Sequence, residues 1–187
     1  MPRTGSKKDD VARAALALFM KKGIRATTTK DIAQRANISE GTIYRHFASK
    51  EKLANEVFEI TSSILYQYLK EMLVACRKPE EQIGCYVRSL FIFARKHHQK
   101  YRFIFAAHQT ELRRQTRKKI KHVDLLVDII EEGQRQGVFR EVDQHLAATM
   151  VLGTITQTIF YLKNGDIRVN FADILPEVEE SCLKILK

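Results

Sequence analysis

Residues 27–53 read TTTKDIAQRANISEGTIYRHFASKEKL and predict two short helices joined by a tight turn. Thr28 or Thr29 caps the first, which runs to about Arg35 with Ile32 and Ala33 inward, and Ser39 caps the second, which runs to about Phe47. Between them stands Asn37, one of the few non-glycine residues that accept left-handed backbone geometry. Ile38 and Ile43 can bury against Ile32, Ala33 and Phe47 and so fix the two helices at one angle. The outward residues of the second helix are then Ser39, Glu40, Gly41, Thr42, Tyr44 and His46, a polar and aromatic surface with no hydrophobic face. A helix pinned by its neighbour and presenting that surface suits insertion into the major groove of DNA.

The polar residues divide by role. Thr42 and Glu40 are expected to touch base edges, since threonine offers a hydroxyl and a methyl and glutamate accepts from cytosine. Lys30, at the start of the preceding helix, can reach a guanine or a phosphate. Thr29, Tyr44, His46 and Lys50 suit phosphate oxygens, because hydroxyl, imidazole and ammonium donors position a protein without reading sequence. Gly41 removes side-chain bulk where the helix must come close to the groove. The helix start at Ser49 and Lys50 adds backbone amides for a phosphate. Taken singly, Tyr44, His46 and Lys50 are ordinary surface residues; together, at this spacing, they point to DNA.

Charge distribution agrees. The chain carries 32 Lys and Arg against 22 Asp and Glu in 187 residues, a net charge of +10. The first fifty residues hold 11 basic and 4 acidic side chains, so +7 of that charge surrounds the candidate DNA reader, as counterion release from a polyanion favours. No uninterrupted apolar run approaches the length of a membrane span, and MPRTGSKKDD lacks a signal-peptide core, so a cytoplasmic protein without membrane contact is expected. Cys76, Cys85 and Cys182 are scattered and lack CxxC spacing. They read as reduced thiols, each a small buried hydrophobe. His97, His98, His108 and His122 do not make a metal pattern, and no metal or cofactor is expected.

Away from this segment, helical periodicity dominates, with no strand-like alternation. Helices are expected over about Asp10–Lys22, stopped by Gly23, then from Ser49 to about Arg77, Pro79–Lys96, Tyr101–Ala107, Thr110–Gln136 (whole or as a broken pair), Asp143–Lys163 and Phe171–Leu186. The fold class is all-α, with about nine to ten helices. An N-terminal three-helix helix-turn-helix DNA-binding domain is placed at 1–50 and a helical effector-binding and dimerisation domain at 51–187.

The segment TTTKDIAQRANISEGTIYRHFASKEKL closely resembles the DNA-binding domain of TetR-like transcriptional regulators. The family's Tyr-x-His-Phe core and the following Lys are Tyr44, His46, Phe47 and Lys50. The preceding AALALFMKKGIRATTTKDIA also matches, including Phe19 and Gly23. Asn37 departs from the glycine most frequent in the family, and Arg45 falls at a variable position, directed to phosphate or to solvent. The resemblance covers roughly residues 10–55. It implies an all-helical homodimer that binds a near-palindromic double-stranded operator, usually repressing transcription, and that a small molecule releases.

The rest of the chain has no motif of like specificity. Leu146–Leu162 is apolar on much of its circumference. The resemblance makes it one wall of a dimer seam with the helix around Val123–Ile130, and the interface expected there comprises Val123, Leu126, Val127, Ile130, Thr149, Gly153, Ile155, Thr156, Ile159 and Phe160. An apolar effector cavity is expected from Tyr66, Phe91, Phe93, Tyr101 and Phe105, with His108, Gln109 and Gln157 as polar groups; plain core packing explains the same aromatics. Arg113, Arg114, Arg117, Lys118, Lys119 and Lys121 spread over several helix faces and read as solvated surface. Two other functions compete with a ligand-responsive regulator. One is an enzyme, for which no nucleophile–base set, phosphate-binding loop or metal set occurs; the other is a constitutive DNA binder without an effector.

Overall fold

The computed structural model describes residues 6–107 and 121–187, and among them every regular element is a helix. The helices are α1 (Lys7–Ala26), α2 (Thr29–Ala36), α3 (Glu40–His46), α4 (Lys50–Leu73), α5 (Pro79–Lys96), α6 (His98–Ala107), α7 (Lys121–Arg135), α8 (Gln144–Asn164) and α9 (Phe171–Leu186). The all-α reading holds. The helix expected over Thr110–Gln136 is described only in its α7 part, and His108, Gln109 and the basic residues from Arg113 to Lys119 lie outside the described residues.

Two compact units divide the chain, and their limits differ from a division at residue 50. The first takes the described residues through Ser62 together with α6; the second takes Ser63–His97 and the residues from α7 to Lys187. The boundary falls inside α4, and α6 belongs to the first unit because Phe103 stacks on Phe19 of α1, with ring centroids 6.1 Å apart, and also meets Phe58 of α4.

The core of the first unit is built from α1 to α4 together with Phe103 of α6. Val11, Ala15, Phe19, Ile32, Ile43, Phe47, Leu53 and Val57 are all buried there. Each large member contributes about 1.5–3 kcal/mol on leaving water. α1 begins with a reciprocal cap between Ser6 and Asp9 and is broken by Gly23, whose φ of 83° only glycine adopts without strain. The predicted stop at Gly23 is therefore a kink, after which one more helical turn follows to Ala26.

In the second unit α5 is the central helix, with Ile83, Tyr86, Val87, Leu90 and Phe93 almost wholly buried. Polar ties fix its neighbours: the Tyr86 hydroxyl donates to the carbonyl of His122 on α7 (3.0 Å), and the Lys163 ammonium to that of Ala94 (2.6 Å). The turn from α7 to α8 hangs on the buried Gln134 amide, whose Nε2 donates to the carbonyls of Arg140 and Val142 at 2.9 and 2.8 Å. Arg140 in turn caps the end of α9 through Leu186 and Ile185.

One expectation is overturned. Cys76 and Cys85 are joined in a disulfide, and Cys182 is the free, buried thiol. The chain turns after α4 and brings Cys76 back beside the second turn of α5, a proximity that a nine-residue spacing without CxxC does not announce. α8 also reaches the length and mean hydropathy (1.2) of a membrane span by composition, but its Ala147, Ala148, Val151, Ile155 and Ile159 are buried within the unit.

Gly133 marks the tightest approach. A Cβ there would enter the ring of Phe139, which the turn after α7 folds back against it. Gly133→Ala is expected to lower the unfolding free energy by about 2–3 kcal/mol through overpacking, read from urea denaturation; a loss of a few tenths would mean that Phe139 does not pack there.

Candidate nucleic-acid interface

The turn that presents α3 forms as its residues dictate. α2 starts with a reciprocal cap in which the Thr28 hydroxyl accepts from the Asp31 amide and the Asp31 carboxylate accepts from the Thr28 amide. Asp31 also pairs with Lys22 at 2.6 Å. These partners, the Lys22 ammonium first and Thr28 next, hold its carboxyl far below the usual range. A depressed folded-state value means that this support is complete at neutral pH and is lost as pH falls below about 4, the range of a free carboxyl. α2 ends at Asn37, which adopts the left-handed conformation (φ 55°, ψ 52°) and donates its amide to the carbonyls of Ala33 and Gln34. Ile38 then donates to Ala33, and the Ser39 hydroxyl accepts from the Thr42 amide to start α3.

Below α3 lie Ile43 and Phe47, 1% and 3% exposed, against Ile32 and Ala33. Glu40, Gly41, Tyr44, Arg45 and His46 face outward, and Lys30 is exposed on α2. Gly41 leaves the outer side of the helix bare: a Cβ there meets only the Ser39 hydroxyl, at 3.8 Å. Three residues across the two helices form a polar cluster, since the Thr29 hydroxyl donates to the Glu40 carboxylate at 2.7 Å and lies 3.4 Å from the Tyr44 hydroxyl.

Two of the expected residues also make contacts within the protein. Thr42 is only 9% exposed, and its hydroxyl lies 3.0 Å from that of Ser39. It closes the first turn of α3 through that contact. Lys50 does not project freely: its ammonium donates to the carbonyls of Arg25 (3.2 Å) and Thr27 (3.0 Å). It ties the start of α4 to the end of α1, leaving at most one N–H for a phosphate. Thr27, fully buried with its hydroxyl on the carbonyl of Gly23 at 2.7 Å, completes that joint. Sequence reasoning missed Thr27 and the Lys22–Asp31 pair, though the Thr28-x-x-Asp31 spacing is a capping signature that points to Asp31.

The remaining expected residues fall in both units. Tyr101 and Phe105 pair in the first unit at 4.6 Å, whereas Tyr66, Phe91, Phe93 and Gln157 belong to the second. There Phe91 meets Phe171 and Phe93 meets Tyr68, and Gln157 is exposed. Of the expected interface residues, Leu126, Ile130, Ile155 and Ile159 are turned into the chain's own core, and Val123, Val127, Gly153 and Thr156 are half-buried. Thr149 and Phe160 are exposed, and they share the open side of α8 with Leu146, Met150 and Tyr161.

Residues 11–57 match the family described as bacterial regulatory proteins of the tetR family, and residues 64–187 that described as tetracyclin repressor-like, C-terminal domain. The chain belongs to the TetR family. It is a DNA-binding transcriptional regulator, in a family of regulators and not of enzymes. Among TetR relatives it is similar to the HTH-type transcriptional repressor KstR2 of Mycolicibacterium smegmatis, 28% identical over 172 residues, which span 86% of this chain and 81% of that one. It is 25% identical over 155 residues to the fatty acid metabolism regulator protein of Bacillus subtilis, with 78% of each chain covered. Its fold matches the Bacillus subtilis regulator FadR solved in complex with stearoyl-CoA, at a TM-score of 0.79 and 21% identity over 96% of this chain and 98% of that one. In TetR terms, α2 and α3 are the helix-turn-helix, and the ammonium of Lys50 braces it from behind.

Lys50→Met, which keeps the stem and removes the ammonium, is expected to cost about 1–2 kcal/mol of stability in urea unfolding, two hydrogen bonds from a charged donor being lost in a partly solvated place. Unchanged stability would free the side chain for the phosphate role alone.

Proposed function

We propose that this chain is a homodimeric repressor that holds a near-palindromic operator through α3 and releases it when an apolar or amphipathic small molecule binds. The observation that carries the dimer is the outer stripe of α8. Leu146, Met150, Gly153, Gln157 and Phe160 recur every three or four residues, and Leu146, Met150 and Phe160 remain 48%, 42% and 55% exposed. Such spacing lays one continuous seam along a helix. A Cβ added at Gly153 would meet nothing within 4 Å, so a second helix can approach closely there. A symmetric dimer supplies two copies of α3, one for each half-site of a near-palindromic operator.

DNA contact rests on Tyr44, Arg45, His46, Lys30 and the bare edge at Gly41, with Glu40 and Thr29 linked beside them. Thr29, Tyr44 and His46 suit phosphates; Glu40 and Lys30 are the residues positioned for bases. For the effector, support comes from relatives: one is named for fatty acid metabolism, and a protein of the same fold was solved with stearoyl-CoA. A long-chain acyl thioester is therefore the first ligand to try.

Phe160→Glu is expected to give monomers in multi-angle light scattering and at least tenfold weaker binding to an operator selected from genomic fragments; a dimer of normal mass would remove the seam. Stearoyl-CoA at low micromolar concentration is expected to release the wild-type protein from that operator in fluorescence anisotropy. Unchanged anisotropy would exclude long-chain acyl thioesters and leave the dimer reading intact.

A further inference from the structure

The three cysteines sit in different chemical settings. Cys182 on α9 is buried, and burial together with the nearby Glu179 carboxylate pushes its thiol up to about 12, so it is inert near neutral pH. Cys85, by contrast, is partly exposed and has a cation beside it: Nη2 of Arg88 lies 3.5 Å from Sγ. The partner Cys76 is held ready by its own backbone, whose amide donates to Leu73 (3.0 Å) and whose carbonyl accepts from the Gln82 side chain (3.2 Å). The remaining charges around the pair are Arg77 and Lys78 beside Cys76, Glu81, whose carboxylate accepts from both of their amides, and Glu179, which pairs with Arg88 at 2.5 Å. Gly84 keeps the room for that ion pair, since a Cβ there would stand 3.1 Å from the Glu179 carboxylate and 3.2 Å from the Arg88 guanidinium.

A transcription regulator works on the bacterial chromosome, in a compartment kept rich in thiol reductants. There a disulfide between partly exposed cysteines is usually a transient, redox-sensing one. We propose that Cys76 and Cys85 are a redox-modification site, a thiol pair that a peroxide-class oxidant closes and a dithiol reductant opens, with Cys85 as the attacking sulfur and Arg88 as the group that favours its thiolate. The Cys85 thiolate attacks the O–O bond, takes one oxygen as sulfenic acid and releases hydroxide or alkoxide. The Cys76 thiol then attacks that sulfur, forming the S–S bond and releasing water. In sum, two thiols and one peroxide give one disulfide, one water and one water or alcohol. Reduction runs by thiol–disulfide exchange, the dithiol becoming a disulfide. Closure pins the turn after α4 to the second turn of α5.

The test uses the full-length protein, reduced with dithiothreitol and desalted without oxygen. After hydrogen peroxide and an acid quench, free thiols are alkylated under denaturing conditions and mapped by mass spectrometry. Cys76 and Cys85 are expected to be lost together while Cys182 stays alkylated, and dithiothreitol is expected to restore both. In Cys76→Ser, Cys85 is expected to accumulate as sulfenic acid captured by dimedone. Arg88→Ala is expected to slow iodoacetamide alkylation of Cys85 about three- to tenfold at pH 7, Arg88→Lys to recover most of it, and Glu179→Gln, which frees the guanidinium, to speed it. Circular dichroism confirms that each variant is folded. Retention of both thiols after peroxide, bridging through Cys182, or equal alkylation rates in Arg88→Ala and wild type would overturn the assignment.

Discussion

A helix of seven residues does not hold together alone in water, because nucleation costs more than the few hydrogen bonds of about two turns return. α3 therefore has its position only through burial of Ile43 and Phe47 against Ile32 and Ala33. The surrounding devices serve that burial. Asn37 turns the chain through the left-handed region so that Ile38 and Ile43 meet α2, the Thr28–Asp31 cap starts α2, and Lys22 tethers that cap to α1. Lys50 binds the last carbonyls of α1 from the start of α4. Loss of any one loosens the same small core, which is why so few outward residues can be presented rigidly.

The division between what the sequence announces and what it hides follows from range. Caps, turns and apolar spacing act within three or four residues, so the helix-turn-helix, α5 and α9 were legible nearly to their ends. Gly23 and Asn37 told where the backbone must leave ordinary geometry. Long-range facts were not legible. That α6 packs on α1, that Cys76 reaches Cys85, and that Lys50 finds carbonyls some twenty-five residues earlier are consequences of tertiary packing, and no local pattern encodes them. Burial misled in a related way. Thr42 is polar and lies on the reading helix, yet its position beside Ile43 turns it inward. Ile155 and Ile159 are the most apolar residues of α8, yet for that reason they fill the chain's own core and leave the outer side to Met150 and Phe160.

Lys50 illustrates how a motif residue can be right in importance and different in role. An ammonium beside a DNA-reading helix suggests a phosphate, since counterion release favours every such contact. Here two of its three donors already meet carbonyl oxygens. The charge still adds to the positive potential around α3, but its hydrogen bonds act inside the protein. The electrostatic and structural parts of one side chain are thus separable in principle, the first sensitive to salt and the second not.

The size of α3 also bears on the proposed dimer. Each base pair read correctly is worth about 1–3 kcal/mol. In the proposed reading few side chains of one copy, Glu40 and Lys30 among them, are directed at bases, too few to single out a site among many competitors. Two linked copies would double the contacts; their binding free energies add, so their equilibrium constants multiply. The open stripe of α8, unremarkable for the stability of one chain and awkward in water, is the surface that the proposed dimer would cover.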